Sequence, residues 1–245
     1  MNWSLGLRRG KNDKADSKDI ARYLFLHQHE IELSKLPSDR LLKIKSLLSL
    51  RHRIIKSKKG LRVAQKEINT FSTKEIAKQI SKQTDKVCKP MKQATTTVEQ
   101  EIRRLIQEDV ELNRIYSLIV SVKGAALITA AYLLVYTVGF TAFVNSRKFA
   151  TYIGFSPFAQ TSGTSVNKPA KVSHLAHKKL KGVISCAASS AQLYDKELNA
   201  YYHRKLAEGK NKYSVRNAVC NKFIHRIFAV VKRGTPYVEL TQYKA

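Results

Sequence analysis

The run Arg147-Lys-Phe-Ala-Thr-Tyr-Ile-Gly154-Phe-Ser-Pro-Phe158, with Thr161-Ser-Gly-Thr-Ser165 just after it, decides how the rest of the chain is read. A short basic-aromatic helix meets a glycine stop, since glycine takes the left-handed conformation that ends a helix without steric cost. A Pro turn follows at Pro157, and then a small-residue loop with hydroxyls beside Gly163. Such Ser/Gly clusters are turns by default. Three helices are predicted after the loop. The first is capped by Ser173 and runs to about Leu193. The second is capped by Asp195 and stops at Gly209. The third is capped by Ser214 and ends at Lys232-Arg233 before Gly234.

Upstream of the run, residues 124–144 carry no charge, a length that could span a bilayer. Gly124, Gly139 and several Thr and Tyr interrupt it, and the reading taken is a buried helix of a core. Earlier still, Pro37-Ser38-Asp39 signals a helix start. Apolar residues at Leu47, Leu50, Ile54, Leu61, Ala64 and Ile68 form one seam, and Val87, Met91, Ala94, Val98, Leu105 and Leu112 a second. Two long helices, about 38–69 and 73–113, are predicted to pair as an antiparallel hairpin, with Pro90 kinking or interrupting the second. Asp13 to Leu26 reads as a helix. Strand signal is low apart from the hydroxyl loop, with Tyr237–Thr241 the one weak candidate. The fold class expected is mainly α, in three parts: 1–37, 38–113 and a compact helical domain at 114–245.

Charge is the outlier of the composition. In 245 residues Lys+Arg total 45 and Asp+Glu 18, a net +27 at pH 7, with a pI near 10.1. Such an excess repels itself unless a polyanion neutralises it. Nucleic acid is the usual polyanion, an anionic membrane surface the second, and a plain solvated basic face the third. The candidate nucleic-acid-binding residues are Lys123, Gly124, Arg147, Lys148, Lys168, Lys171, Lys178, Lys179, Lys181, Arg204, Lys205, Arg216 and Arg226, with Tyr201, Tyr202 and Tyr213 interleaved for stacking. His174 and His177 lack a third ligand for zinc. Cys88, Cys186 and Cys220 are scattered and fit free buried thiols in a reducing compartment. The N-terminus has no apolar signal core.

A second motif stands near the start, Gly10-Lys-Asn-Asp13-Lys-Ala-Asp16-Ser-Lys-Asp-Ile-Ala21. Asp13 and Asp16 share a helix face and can hold Mg2+ through oxygen. On spacing alone, acids among lysines make solvated ion pairs. The two motifs together resemble the DEDD transposases of bacterial insertion sequences, the family that includes the Piv-type DNA invertases. The resemblance implies that residues 1–37 are the end of a RuvC-like, ribonuclease-H-like domain, with Asp13 and Asp16 as the last two acids of its metal-binding tetrad. It implies Ser162 as the nucleophile on DNA, with Ser165 as the second candidate. Gly124 falls where the family has a helix-hairpin-helix. That turn reads equally as a phosphate cradle or a core turn, because Val122 stands at the family's first glycine. A structured guide RNA, a homo-oligomer, a bacterial cytoplasmic location and no membrane are implied as well. No acid precedes Asp13, so the chain is expected to be an N-terminally truncated copy with weak or absent Mg2+ binding. The other functions weighed are a catalytically inactive nucleic-acid-binding remnant and a basic coiled-coil interaction protein.

Overall fold

A computed structural model describes residues 12–29, 36–143, 145–156, 158–162, 166–171 and 176–239; for 158–162 and 166–171 the description is of the backbone. Residues 1–35 and 36–245 form separate compact units. The first holds helix α1, Asp13–Leu26. Asn12 caps it by accepting the Lys14 N–H at 3.0 Å, and Asp13 and Asp16 stand in its first turn, where carboxylates favour the positive end of the helix dipole.

The second unit opens with two long helices, α2 (Asp39–Phe71) and α3 (Lys74–Gln107), joined through Ser72 and Thr73. Ser38 caps α2 as its sequence signal required, accepting the Leu41 N–H. Cross-contacts fix the pairing as antiparallel, because partners on α3 fall in number as those on α2 rise. Arg40 donates to the Leu105 carbonyl at 3.2 Å, Arg51 to Glu99 at 2.6 Å, and Gln65 to Ser81 at 2.7 Å, while Arg62 pairs with Asp85 at 2.6 Å.

Three expectations for this hairpin need correcting. The seam on α2 is only partly the one predicted: Leu47 and Ile54 are half-buried, but Leu50, Leu61, Ala64 and Ile68 are exposed, and Leu41, Ile44 and Leu48 are the buried set. Polar Arg51, Lys58 and Gln65 continue that inner line, so counting apolar residues alone picked the wrong stripe. On α3, Val87 and Ala94 are likewise exposed, whereas Met91, Val98 and Leu105 do face inward. Pro90 does not interrupt α3. It lies on the exposed side, where water can reach the carbonyl left without its usual N–H partner. The second helix stops at Gln107 rather than 113, because Asp109 accepts the Glu111 and Leu112 N–H groups and so caps a new helix, α4 (Val110–Ser121).

Among the described residues of this unit follow five further helices: α5 (Leu127–Tyr136), α6 (Ser146–Ile153), α7 (Lys178–Tyr194), α8 (Lys196–Ala207) and α9 (Lys212–Arg233). The uncharged stretch is α5, in which every residue from Thr129 to Val135 is buried. A helix apolar on all sides belongs inside a core, and α2, α3, α4 and α7 pack around it. Leu41, Ile44 and Leu48 of α2 and Ile102, Leu105 and Ile106 of α3 join this core, so the base of the hairpin and the helical body are one packed unit. No helix among the described residues is long and apolar enough to cross a membrane.

Between α6 and α7 the chain forms an antiparallel pair, β1 (Phe158–Ser162) and β2 (Val166–Lys171). The described residues are thus mainly helical with one short strand pair. Residues 237–239 form no strand. Two caps also differ from expectation. His177 caps α7, its Nδ1 accepting the Leu180 N–H at 3.1 Å, and Asn211 caps α9 in place of Ser214. Ser173 lies outside the described residues. Cys88 and Cys220 are buried, but Cys186 is exposed.

Candidate nucleic-acid interface

The quoted sequence run becomes a glycine-stopped helix followed in the chain by the strand pair. Asn145 caps α6 by accepting the Lys148 N–H at 2.9 Å, which leaves Arg147 and Lys148 exposed on its first turn. Gly154 ends the helix at φ 85°, and the Phe155 N–H returns to the Ala150 carbonyl at 2.9 Å. This is the bond pattern of a left-handed C-cap, and Phe155 is buried behind it. Lys181 of α7 donates to the Gly154 carbonyl at 2.8 Å and lies 5.3 Å from the Phe155 ring. One lysine expected on the nucleic-acid face therefore ties α7 to the end of α6.

In the strand pair, Ser162 is the last paired residue of β1, opposite Val166, with Gly163, Thr164 and Ser165 connecting them. Lys168 stands opposite Gln160, and Lys171 opposite Phe158, across a register shift. Ser165 and His174 lie outside the described residues. Asp13 and Asp16 are both exposed on α1 in the other unit. No three His, Cys, Asp or Glu residues gather as a metal cluster among the described residues.

Cations concentrate where α7 begins. Burial holds the Lys179 ammonium below its usual range, with Arg53 of α2 adding repulsion. Burial also lowers His52, and Lys179, Lys56 and Arg51 lower it further. Arg51 has Glu99 as a partner, but no carboxylate among the described residues pairs with Arg53, Lys56, Lys178 or Lys179. Like charges are costly to hold together without counter-ions, and a phosphate would relieve that cost.

Other predicted binders are engaged internally. Arg226 has 14% of its side chain exposed and bridges Asp195 and Glu197, both at 2.6 Å. Asp195 is buried, caps α8 through the Leu198 N–H at 2.8 Å, and accepts the Tyr237 hydroxyl at 3.2 Å. Lys123 pairs with Glu239, and Arg204 and Lys205 pair with Glu208. Arg216 is exposed with no ion pair among the described residues. Gly124 sits at φ 87°, and a Cβ there would fall 2.5 Å from the Ala187 carbonyl oxygen and 2.6 Å from the Ala191 N. Close approach of α7 thus accounts for this glycine.

Residues 116–203 match the transposase IS116/IS110/IS902 family. The matched region runs from inside α4 to inside α8 and includes the strand pair with Ser162. Over 236 residues the chain is 25% identical to the pilin gene-inverting proteins of Moraxella bovis and Moraxella lacunata, covering 96% of this chain and 70% of each of those. It is also 26% identical over 152 residues to an uncharacterized 43.6 kDa protein of insertion element IS110 from Streptomyces coelicolor, covering 60% of this chain and 37% of that one.

Sequence reasoning missed two features of this surface. The His52–Arg53–Lys179 convergence joins residues more than a hundred positions apart, and no local pattern encodes it. The Ser146 hydroxyl lies 2.7 Å from His225 Nδ1, and neither residue sits in a recognisable motif.

Proposed function

We propose that this chain acts on DNA as an insertion-sequence transposase or invertase, holding phosphates on a basic surface and exchanging strands through Ser162. The observation that carries the reading is the 236-residue similarity to two proteins named for inverting a gene, an operation on DNA strands. The carboxylate-free cations at the start of α7 support it. In the proposed step the Ser162 hydroxyl oxygen forms a bond to phosphorus, the phosphorus–oxygen bond to the neighbouring sugar breaks, and that sugar oxygen takes up a proton as the serine gives one up. Gly163 brings no side chain that could crowd a phosphodiester. Asp13 and Asp16, exposed and one turn apart, fit a hard cation that uses one or two carboxylates and keeps its waters, and they are the residues proposed to hold Mg2+. When bound, Mg2+ would offset charge developing on phosphate oxygens. A self-associated form is proposed as well, supported by the exposed apolar line Leu50, Leu61 and Ile68 along α2.

The test is binding to duplex DNA and to structured RNA across a salt series. A footprint of about six phosphates is expected to lose on the order of 10³ in affinity between 50 and 200 mM salt. Arg53→Gln and Lys179→Gln are each expected to reduce the salt slope by about one. A flat salt profile, or slopes unchanged in both variants, would overturn the phosphate-binding reading.

A further inference from the structure

A cavity of about 560 Å³ opens between α4, α6, α9 and the turn after α5, lined by Phe140, Phe143, Phe228, Ser146, His225 and Lys232, with Glu111 and Arg114 of α4 paired to each other on its wall. Its size is that of a small-ligand site. We propose that it accepts one unstacked nucleobase, with the ring against the phenylalanines and the flanking phosphates on the basic rim. The proposal rests on the DNA reading above.

Three independent features meet at this cavity. The first is backbone strain. Val138, Gly139 and Phe140 follow one another at φ 50°, 62° and 65°. A β-branched residue rarely takes such an angle, and strain of this kind gathers at binding sites. The turn is pinned by the Gly139 N–H to the Leu134 carbonyl at 2.8 Å and the Phe140 N–H to Thr137 Oγ1 at 2.9 Å. It sets the half-buried Phe140 edge-on to Phe228, with ring centroids 4.9 Å apart.

The second feature is a polar pair in an aromatic wall. Ser146 and His225 share a hydrogen bond of 2.7 Å. Burial lowers the His225 pKa, and Arg147 and Lys222 lower it further, which favours the uncharged imidazole. A neutral imidazole and a hydroxyl can each donate or accept, as the edge of a base requires. The third is charge. Lys232 is exposed on the lining, and Arg147 and Lys222 are exposed and close enough to act on His225; none of the three pairs with a carboxylate among the described residues, and the Lys222 ammonium lies 4.6 Å from the Tyr201 ring. Aromatic faces that stack any base, beside cations that take its phosphates, are what single-stranded nucleic acid binds.

The experiment compares a dA decamer with a decamer of abasic tetrahydrofuran nucleotides, which carries the same phosphates and no bases, against the full chain at 50 mM salt. The dA decamer is expected to bind on the order of tenfold more tightly, the gain that stacking of one base supplies. Phe143→Leu is expected to remove that preference while leaving abasic binding unchanged. Lys232→Gln is expected to weaken both decamers equally. His225→Leu, at an exposed side chain, is expected to reduce the preference severalfold, and it decides the matter if Phe143→Leu does not fold. Tyr194→Leu, at an exposed ring outside the cavity, is expected to keep the preference. Equal binding of the two decamers by wild type overturns the cavity proposal and leaves DNA binding standing. Absence of binding to both overturns the DNA reading and this proposal with it. A preference that survives both Phe143→Leu and His225→Leu, or that vanishes in Tyr194→Leu, overturns the assignment to this cavity.

Discussion

The outer part of the α2–α3 hairpin and the helical body from α4 to α9 are built on opposite plans. Beyond Leu48 on α2, the hairpin buries only Cys88 and half-buries Ile54, Ile55 and Met91, with Arg51–Glu99, Arg62–Asp85 and Gln65–Ser81 across it, while Leu50, Leu61 and Ile68 stay exposed and Phe71 at the tip is 91% exposed. The body does the reverse. It buries a large apolar core, with Phe149, Leu134, Leu180, Ile184 and Phe223 inside, and its buried carboxylate Asp195 is fully partnered. Surface ion pairs contribute little, whereas each fully buried large side chain contributes roughly 1.5–3 kcal/mol. Stability therefore resides in the body and the hairpin base, and the outer hairpin is free to serve as a contact surface.

The largest expected effect tests the tightest contact of the body. Gly124→Val should prevent folding or cost more than about 4 kcal/mol, since a side chain meets the α7 backbone and must also adopt a positive φ. Chemical denaturation measures it, and a loss under about 1 kcal/mol would show that α7 does not approach as described. Asp195→Ala comes next, at about 3–5 kcal/mol, because it leaves the Arg226 charge with a single exposed partner and removes the α8 cap. An unchanged denaturation midpoint would place the network in solvent, as in the hairpin.

Tyr237 offers a smaller, pH-dependent measure of the same network. Burial and the nearby carboxylates push its hydroxyl up to about 12, with Arg226 opposing. A group that holds its proton better when folded stabilises the fold below its unfolded pKa, near 10, and that contribution fades as pH rises toward the folded value. Wild type should thus lose stability more steeply than Tyr237→Phe between pH 10 and 12, as read by thermal melts. Parallel curves would show that the hydroxyl is not engaged.

The smallest effect on stability is expected in the outer hairpin. Leu50→Asp and Ile68→Asp should each change unfolding free energy by less than about 0.5 kcal/mol, as exposed substitutions do. They should nevertheless reduce an oligomer seen by sedimentation, because a charge would be buried at a joint between copies. A wild-type monomer, or an oligomer untouched by both variants, would break the contrast by removing the surface role assigned to this region.

Much of this architecture is legible in the residues. The caps at Ser38 and Asp195, the stops at Gly154 and Gly234, and the buried run of α5 all follow from local chemistry. The hairpin seam was misread because its inner line mixes apolar and polar residues, so apolar spacing alone selects the exposed stripe at Leu50, Leu61 and Ile68. The cap at Asp109 was missed because the apolar seam runs across it to Leu112. For the candidate site, the motif around Ser162 was visible, whereas which lysines remain available was not. Lys181 and Arg226 look like any other basic residues of a basic chain until Gly154 and Asp195 are brought to them.

The sequence by itself determined that the chain is mainly helical, strongly basic, and marked by a glycine-stopped helix leading to a hydroxyl loop. Those properties rest on composition and on interactions a few residues long. Only the tertiary structure decided that Gly124 is a packing contact, that Arg226 is internal, that Lys179 gathers with Arg53, and that Ser146 meets His225 across a cavity. Each of these joins residues at least 29 positions apart, and such pairs acquire their meaning only when folding brings them together.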